Sequence, residues 1–192
     1  MAITLESRPN RGRRLLVGLA VFVVIALALN YQLILDRFHP RLAPPAFQAK
    51  TAVNAPMLYL PTLGKTAPVV FSTTRDEPAV QNDLDKGVSL DVESPRPGQA
   101  GNVFLTGHSN NWPWRGEYRT IFGNIDQLRV GDEVVLDWDK RYVYRVTGQR
   151  VVNPSEVSVM NSDRSKRQLT LMTCWPPSTT WARRIVTAEL VR

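Results

Sequence analysis

An all-β domain of barrel or sandwich type, set behind a single N-terminal apolar helix, is what these 192 residues predict. Three observations lead there. One is an uncharged apolar run close to the N-terminus. Another is a Pro- and Ala-rich stretch after it that has no periodicity. The third is a succession of short β-type runs divided by Gly, Pro, Asn and Asp, with only one good helix among them. Domains most often run to roughly 100–150 residues, so the chain holds one domain and an appendage. With 43% hydrophobic and 21% charged residues it is neither a disordered tail nor a polytopic membrane protein.

The appendage comes first. Residues 1–14 carry Arg8, Arg11, Arg13 and Arg14 against Glu6, nearly half of the chain's formal charge of +7. The run from Leu15 to Leu35 contains no charge, and as a helix rising ~1.5 Å per residue it reaches ~31 Å, about one bilayer core. Arginines before it, with Asp36 and Arg37 after it, predict a single-pass anchor with a cytoplasmic N-terminus (1–14), a span (15–35) and everything else outside. The competing reading is a cleaved signal peptide, since Ala26-Leu27-Ala28 has the pattern of a cleavage site; the apolar run continuing to Leu35 favours the uncleaved anchor. Residues 36–56, with Pro40, Pro44, Pro45 and Pro56, read as a linker.

From residue 57 to residue 192 the β-type runs are Met57–Leu60, Val69–Phe71, Asn102–Thr106, Glu133–Asp137, Tyr142–Thr147, Leu169–Thr173 and Arg184–Leu190. The helix is Glu77–Lys86, with Asp76 as cap, Pro78 in the first turn and Gly87 as its stop. Val130-Gly131-Asp132 and Asn153-Pro154 mark turns.

One cysteine excludes an internal disulfide and any Cys-rich zinc site, and Asp83, Asp85, Asp91 and Glu93 are too scattered to predict a calcium site. We therefore expect no metal and no cofactor. No dense basic patch interleaves with aromatics, so no nucleic-acid partner is expected; Lys140-Arg141 and Arg164–Arg167 read as solvated charges. His39 falls in the linker, which leaves one histidine, His108, and one cysteine, Cys174, each at the end of an apolar β-type run. Strand ends hold side chains rigidly at a rim. A thiol there is a candidate nucleophile, the imidazole its acid–base partner, and Arg183 or Arg184 a source of positive charge for a developing oxyanion. An inert buried thiol beside an unrelated rim histidine fits the residue types equally well.

The order and spacing of three segments go further. Gly101–His108, then Thr170-Leu171-Met172-Thr173-Cys174, then Arg183 or Arg184 leading into Ile185-Val186, resemble the His, TLxTC and Arg signatures of the sortases, and the likeness extends from about Met57 to Arg192. The resemblance implies a closed eight-stranded β-barrel with one or two short helices. It implies a cysteine transpeptidase that cleaves an LPxTG-like sorting signal of secreted proteins between Thr and Gly. Cys174 would carry the thioester, His108 would act as acid and then base, and Arg183 would be the oxyanion arginine with Arg184 the alternative. The acceptor would be an amine of the cell envelope. Strand alternation puts Arg183 and Arg184 on opposite faces, so only one can enter the cleft. Thr173, Trp112, Trp114 and Trp175 are candidate groove residues, with loop packing as the alternative role of the tryptophans. An anchored cysteine peptidase that only hydrolyses, or a non-catalytic surface adaptor, are the competing functions.

Overall fold

A computed structural model describes residues 11–31, 55–110, 115–161 and 163–192. The linker histidine His39 and the loop tryptophans Trp112 and Trp114 lie outside the described residues. Helix α1 (Arg11–Leu29) takes in the first part of the expected span and exposes its apolar side chains, among them Leu15, Leu16 and Phe22. Among the described residues no helix is long and apolar enough to cross a membrane.

Eight strands follow: β1 (Met57–Leu60), β2 (Lys65–Phe71), β3 (Val88–Leu90), β4 (Gly101–Thr106), β5 (Glu133–Asp137), β6 (Arg141–Val152), β7 (Arg167–Trp175) and β8 (Ala182–Leu190). They close into a barrel in the order β1-β2-β3-β4-β7-β8-β6-β5, with β5 returning to β1. Closure leaves no free sheet edge. Two neighbours run parallel, β2 with β3 and β4 with β7, and each needs a crossover. The β2–β3 crossover carries the second helix, α2 (Glu77–Leu84).

Strand alternation sorts the residues into two clusters. Leu58, Leu105, Leu136, Tyr144, Leu171 and Val186 fill the barrel interior. Phe104, Val152, Val159 and Ile185, with Met160 and Met172 packed beside them, form a smaller cluster on the outer face of β4, β6, β7 and β8. The β6–β7 connection, with a 3-10 turn at Val157–Met160, covers that second cluster. Asn102 fastens the cover: its Nδ2 donates to Val159 O at 3.2 Å, and Thr170 Oγ1 donates to its Oδ1 at 2.8 Å.

Three expectations need correction. β3 was not foreseen, because three residues behind a helix give no alternation to read. α2 ends at Leu84, and Asp76, although at the N-cap position, makes no side-chain capping bond. Gly87 is not the helix stop: a Cβ there would collide with Pro68 O, so the glycine serves the close approach of β2 to β3. At Gly131 the φ of 98° fits the expected turn.

Candidate active site

Backbone register builds the site. Parallel pairing of β4 with β7 sets Phe104 opposite Thr170 and Thr106 opposite Met172, all on the outer face. Gly107 N–H continues the ladder by donating to Met172 O at 3.1 Å, and carrying the register two residues past Thr106 brings His108 level with Cys174. Antiparallel pairing of β7 with β8 sets Arg183 opposite Cys174. Directly opposed residues share a face, so His108, Cys174 and Arg183 form a row across three adjacent strands with the sulfur in the middle.

The arrangement is fixed from below. Thr173, 2% exposed, donates its hydroxyl to Gly107 O at 2.7 Å, tying the residue before Cys174 to the residue before His108. His108 O in turn accepts the N–H of the buried Phe122 at 2.9 Å. Arg183 Nη1 donates to Thr180 O at 3.2 Å and to Ala182 O at 3.1 Å, which braces the guanidinium on the β7–β8 loop.

His108, Cys174 and Arg183 line a cleft of about 570 Å³. Phe104, Thr106 and Met172 are at its floor; α2 contributes Glu77, Val80 and Gln81 on one side, and the β6–β7 connection contributes Pro154, Val157 and Met160 on the other. Ser72 anchors α2: its Oγ donates to Asp83 Oδ2 at 2.9 Å and lies 2.6 Å from Ser89 Oγ. An open cleft of this size, lined by both apolar and charged side chains, has room for a peptide.

Arg184 sits differently. It pairs with Thr173 and faces the other way, its guanidinium carbon 4.2 Å from the centroid of the Trp175 ring. Trp175 therefore stacks on Arg184 and does not line the cleft, and Thr173 borders the cleft with its hydroxyl already committed.

Burial controls the titrations. Desolvation lowers the His108 pKa below the ordinary imidazole value, opposed by the nearby Asp85 carboxylate. Desolvation raises the Cys174 pKa, opposed by Arg183 and reinforced by Glu77. At neutral pH the resting pair is a thiol beside a neutral imidazole, and the thiolate–imidazolium pair is a minor species. The Asp85 carboxylate lies 3.4 Å from His108 Nε2 and 3.1 Å from Arg115 Nε. Neither residue is found by a motif search, because only the end of the crossover helix and the loop after β4 bring them to the imidazole. Among the described residues no group of His, Cys, Asp and Glu side chains could hold a metal ion.

A small closed barrel with a cysteine, a histidine and an arginine abreast on its outer face has the groups that cysteine acyl transfer requires. Comparison with known proteins makes the family explicit. The sortase-domain family model matches residues 58–191. Sortase D of Bacillus subtilis (strain 168) is 26% identical over 133 residues, 68% of this chain and 59% of that protein. Sortase A of Bacillus anthracis is 31% identical over 133 residues, 69% of this chain and 57% of that protein. The chain thus spans under three fifths of either relative. Among solved structures, sortase E1 from Streptomyces coelicolor with a tripeptide in the active site is 27% identical with a TM-score of 0.60, covering 72% of this chain and 88% of that one. Sortase E from Streptomyces avermitilis is 32% identical with a TM-score of 0.56, covering 71% and 87%. The chain belongs to the sortase family.

Proposed function

We propose that this protein is a membrane-anchored cysteine transpeptidase that cleaves an LPxTG-like sorting signal and transfers the acyl group to an amine of the cell envelope. The observation that carries the reading is the row of His108, Cys174 and Arg183 fixed by strand register in a peptide-sized cleft. The tripeptide held in the active site of the Streptomyces coelicolor relative supports a peptide as occupant.

The Cys174 thiolate attacks the threonine carbonyl carbon, and the oxygen that becomes negative is opposed by the Arg183 guanidinium. Collapse of the tetrahedral intermediate breaks the C–N bond. The departing glycine nitrogen takes a proton from the His108 imidazolium and leaves as an amine, with the acyl group held as a thioester on Cys174. An incoming amine attacks that thioester and gives its proton to the now neutral His108, and the sulfur leaves as thiolate. Each turnover restores the starting ion pair. The apolar floor from Phe104 and Met172 limits water at the thioester, so transfer competes with hydrolysis.

Anchoring is supported by Arg8, Arg11, Arg13 and Arg14 ahead of the uncharged run 15–35 and by the apolar side chains that α1 exposes. The expected location is the cell membrane, with the catalytic domain outside. The discriminating experiment incubates the full chain in detergent with a sorting-signal peptide and an amine and analyses the products by mass spectrometry. The transfer product is expected; free acid alone would leave a hydrolase, and no cleavage by either route would overturn the enzyme reading. Membrane fractions washed at alkaline pH should retain the protein, and its release would remove the anchor.

A further inference from the structure

Asp85 follows the last residue of α2 and is the helix C-cap. Its Oδ1 is buried without a well-aligned hydrogen bond among the described residues, although His108 Nε2 stands 3.4 Å away and Arg115 Nε 3.1 Å away. A buried carboxylate oxygen between two N–H-bearing groups is a position held open for a charge-assisted bond. It is worth most when the imidazole carries a second proton.

We propose that Asp85 is the positioning residue of His108: it accepts from Nε2, leaves Nδ1 as the ring atom that exchanges protons in catalysis, and stabilises the imidazolium while Cys174 is a thiolate. Arg115 holds the carboxylate in place and tempers its charge. This rests on the cysteine–histidine reading above. Charged and titratable groups near the imidazole are Asp85 and Glu77 on the α2 side, Arg115 on the loop after β4, Cys174 on β7 and Arg183 on β8, and the same cleft carries Arg75, Asp91 and Glu156. Asp85 forms close charged contacts with both His108 and Arg115, and the two charged residues act on the imidazole with opposite sign. Because the imidazole titrates below the thiol, the ion-pair population changes about tenfold for each unit by which Asp85 moves the imidazole.

The test is an NMR titration of His108 in the full chain in detergent, carrying Cys174→Ala and carrying His39→Gln so that one imidazole remains of the two in the sequence. Asp85→Asn should lower the His108 pKa by about one unit, and Arg115→Ala should raise it. An imidazole unmoved by Asp85→Asn in a folded variant overturns the proposal. If that variant does not fold, an unchanged or lowered titration in Arg115→Ala overturns it instead. With Cys174 restored, Asp85→Asn should cut kcat/KM about tenfold, move the acid limb of the pH profile downward and leave KM unchanged, and Asp85→Glu should recover part of the loss. The titration needs no substrate, so the pKa shift can fail while the wild type still cleaves peptide, or hold while it does not. The two readings therefore fall separately.

Discussion

Thr173→Val tests whether the site is built by the hydrogen bond beneath it. Thr173 is 2% exposed and its hydroxyl donates to Gly107 O at 2.7 Å, joining the two strand ends that carry His108 and Cys174. Valine keeps the β-branched shape and the packing volume but removes the donor, leaving the Gly107 carbonyl buried and unpaired. A loss of that kind costs about 1–3 kcal/mol. For a domain of this size, ~3–4 °C of Tm per kcal/mol gives a fall of roughly 3–12 °C in a thermal melt. The functional cost should be separate and larger. Small misplacements of reacting groups cost up to about a hundredfold, so kcat/KM toward a sorting-signal peptide should fall roughly ten- to a hundredfold at a temperature where the variant is fully folded. Thermal melts followed by circular dichroism and peptide cleavage followed by mass spectrometry give the two numbers. A Tm within about 1 °C of wild type with unchanged kcat/KM would refute the reasoning, and a lower Tm with full activity would refute the link from this bond to the site.

Three further outcomes are expected. Arg183→Ala should lower kcat/KM by about 10²–10³ with little change in Tm, whereas Arg184→Ala should cost about 1 kcal/mol of stability through lost stacking on Trp175 and leave most activity; an Arg184 variant that is the less active of the two would reverse the assignment. The pH profile of kcat/KM should have its acid limb below about 6.5, where burial lowers the imidazole, and its alkaline limb above about 9.0, where burial raises the thiol. Alkylation of Cys174 by iodoacetamide should rise along that same alkaline limb, and a fully reactive thiolate at pH 6 would contradict it. Gly107→Ala should destabilise by about 1–3 kcal/mol, because its Cβ would lie 2.5 Å from Cδ2 of the buried Phe122 ring; a melt matching wild type would show that the ring can move aside.

The sequence determined the strand-forming segments, because alternating β-branched and aromatic runs such as Tyr142–Val146 bury one face whatever their neighbours. It also marked His108 and Cys174 as residues at strand ends and, through the TLxTC pattern, linked them to one chemistry. It missed β3, where Val88–Leu90 is too short to show a period and is set by pairing with β2 and β4. Alternation alone put Arg183 and Arg184 on opposite faces without choosing between them. The choice belongs to register: pairing Cys174 with Arg183 puts Arg184 opposite Thr173, where it stacks on Trp175. Trp175, a neighbour of Cys174 in the chain, faces away from the cleft for the same reason. Asp85 shows the limit most clearly. As one of several scattered acids it carried no signal, and only the crossover helix between two parallel strands, pinned by Ser72 and Asp83, brings its carboxylate to His108. Local patterns encode which residues can form a strand and which can react. Pairings between segments far apart in sequence decide which of them meet, because contacts of that kind exist only once the barrel has closed.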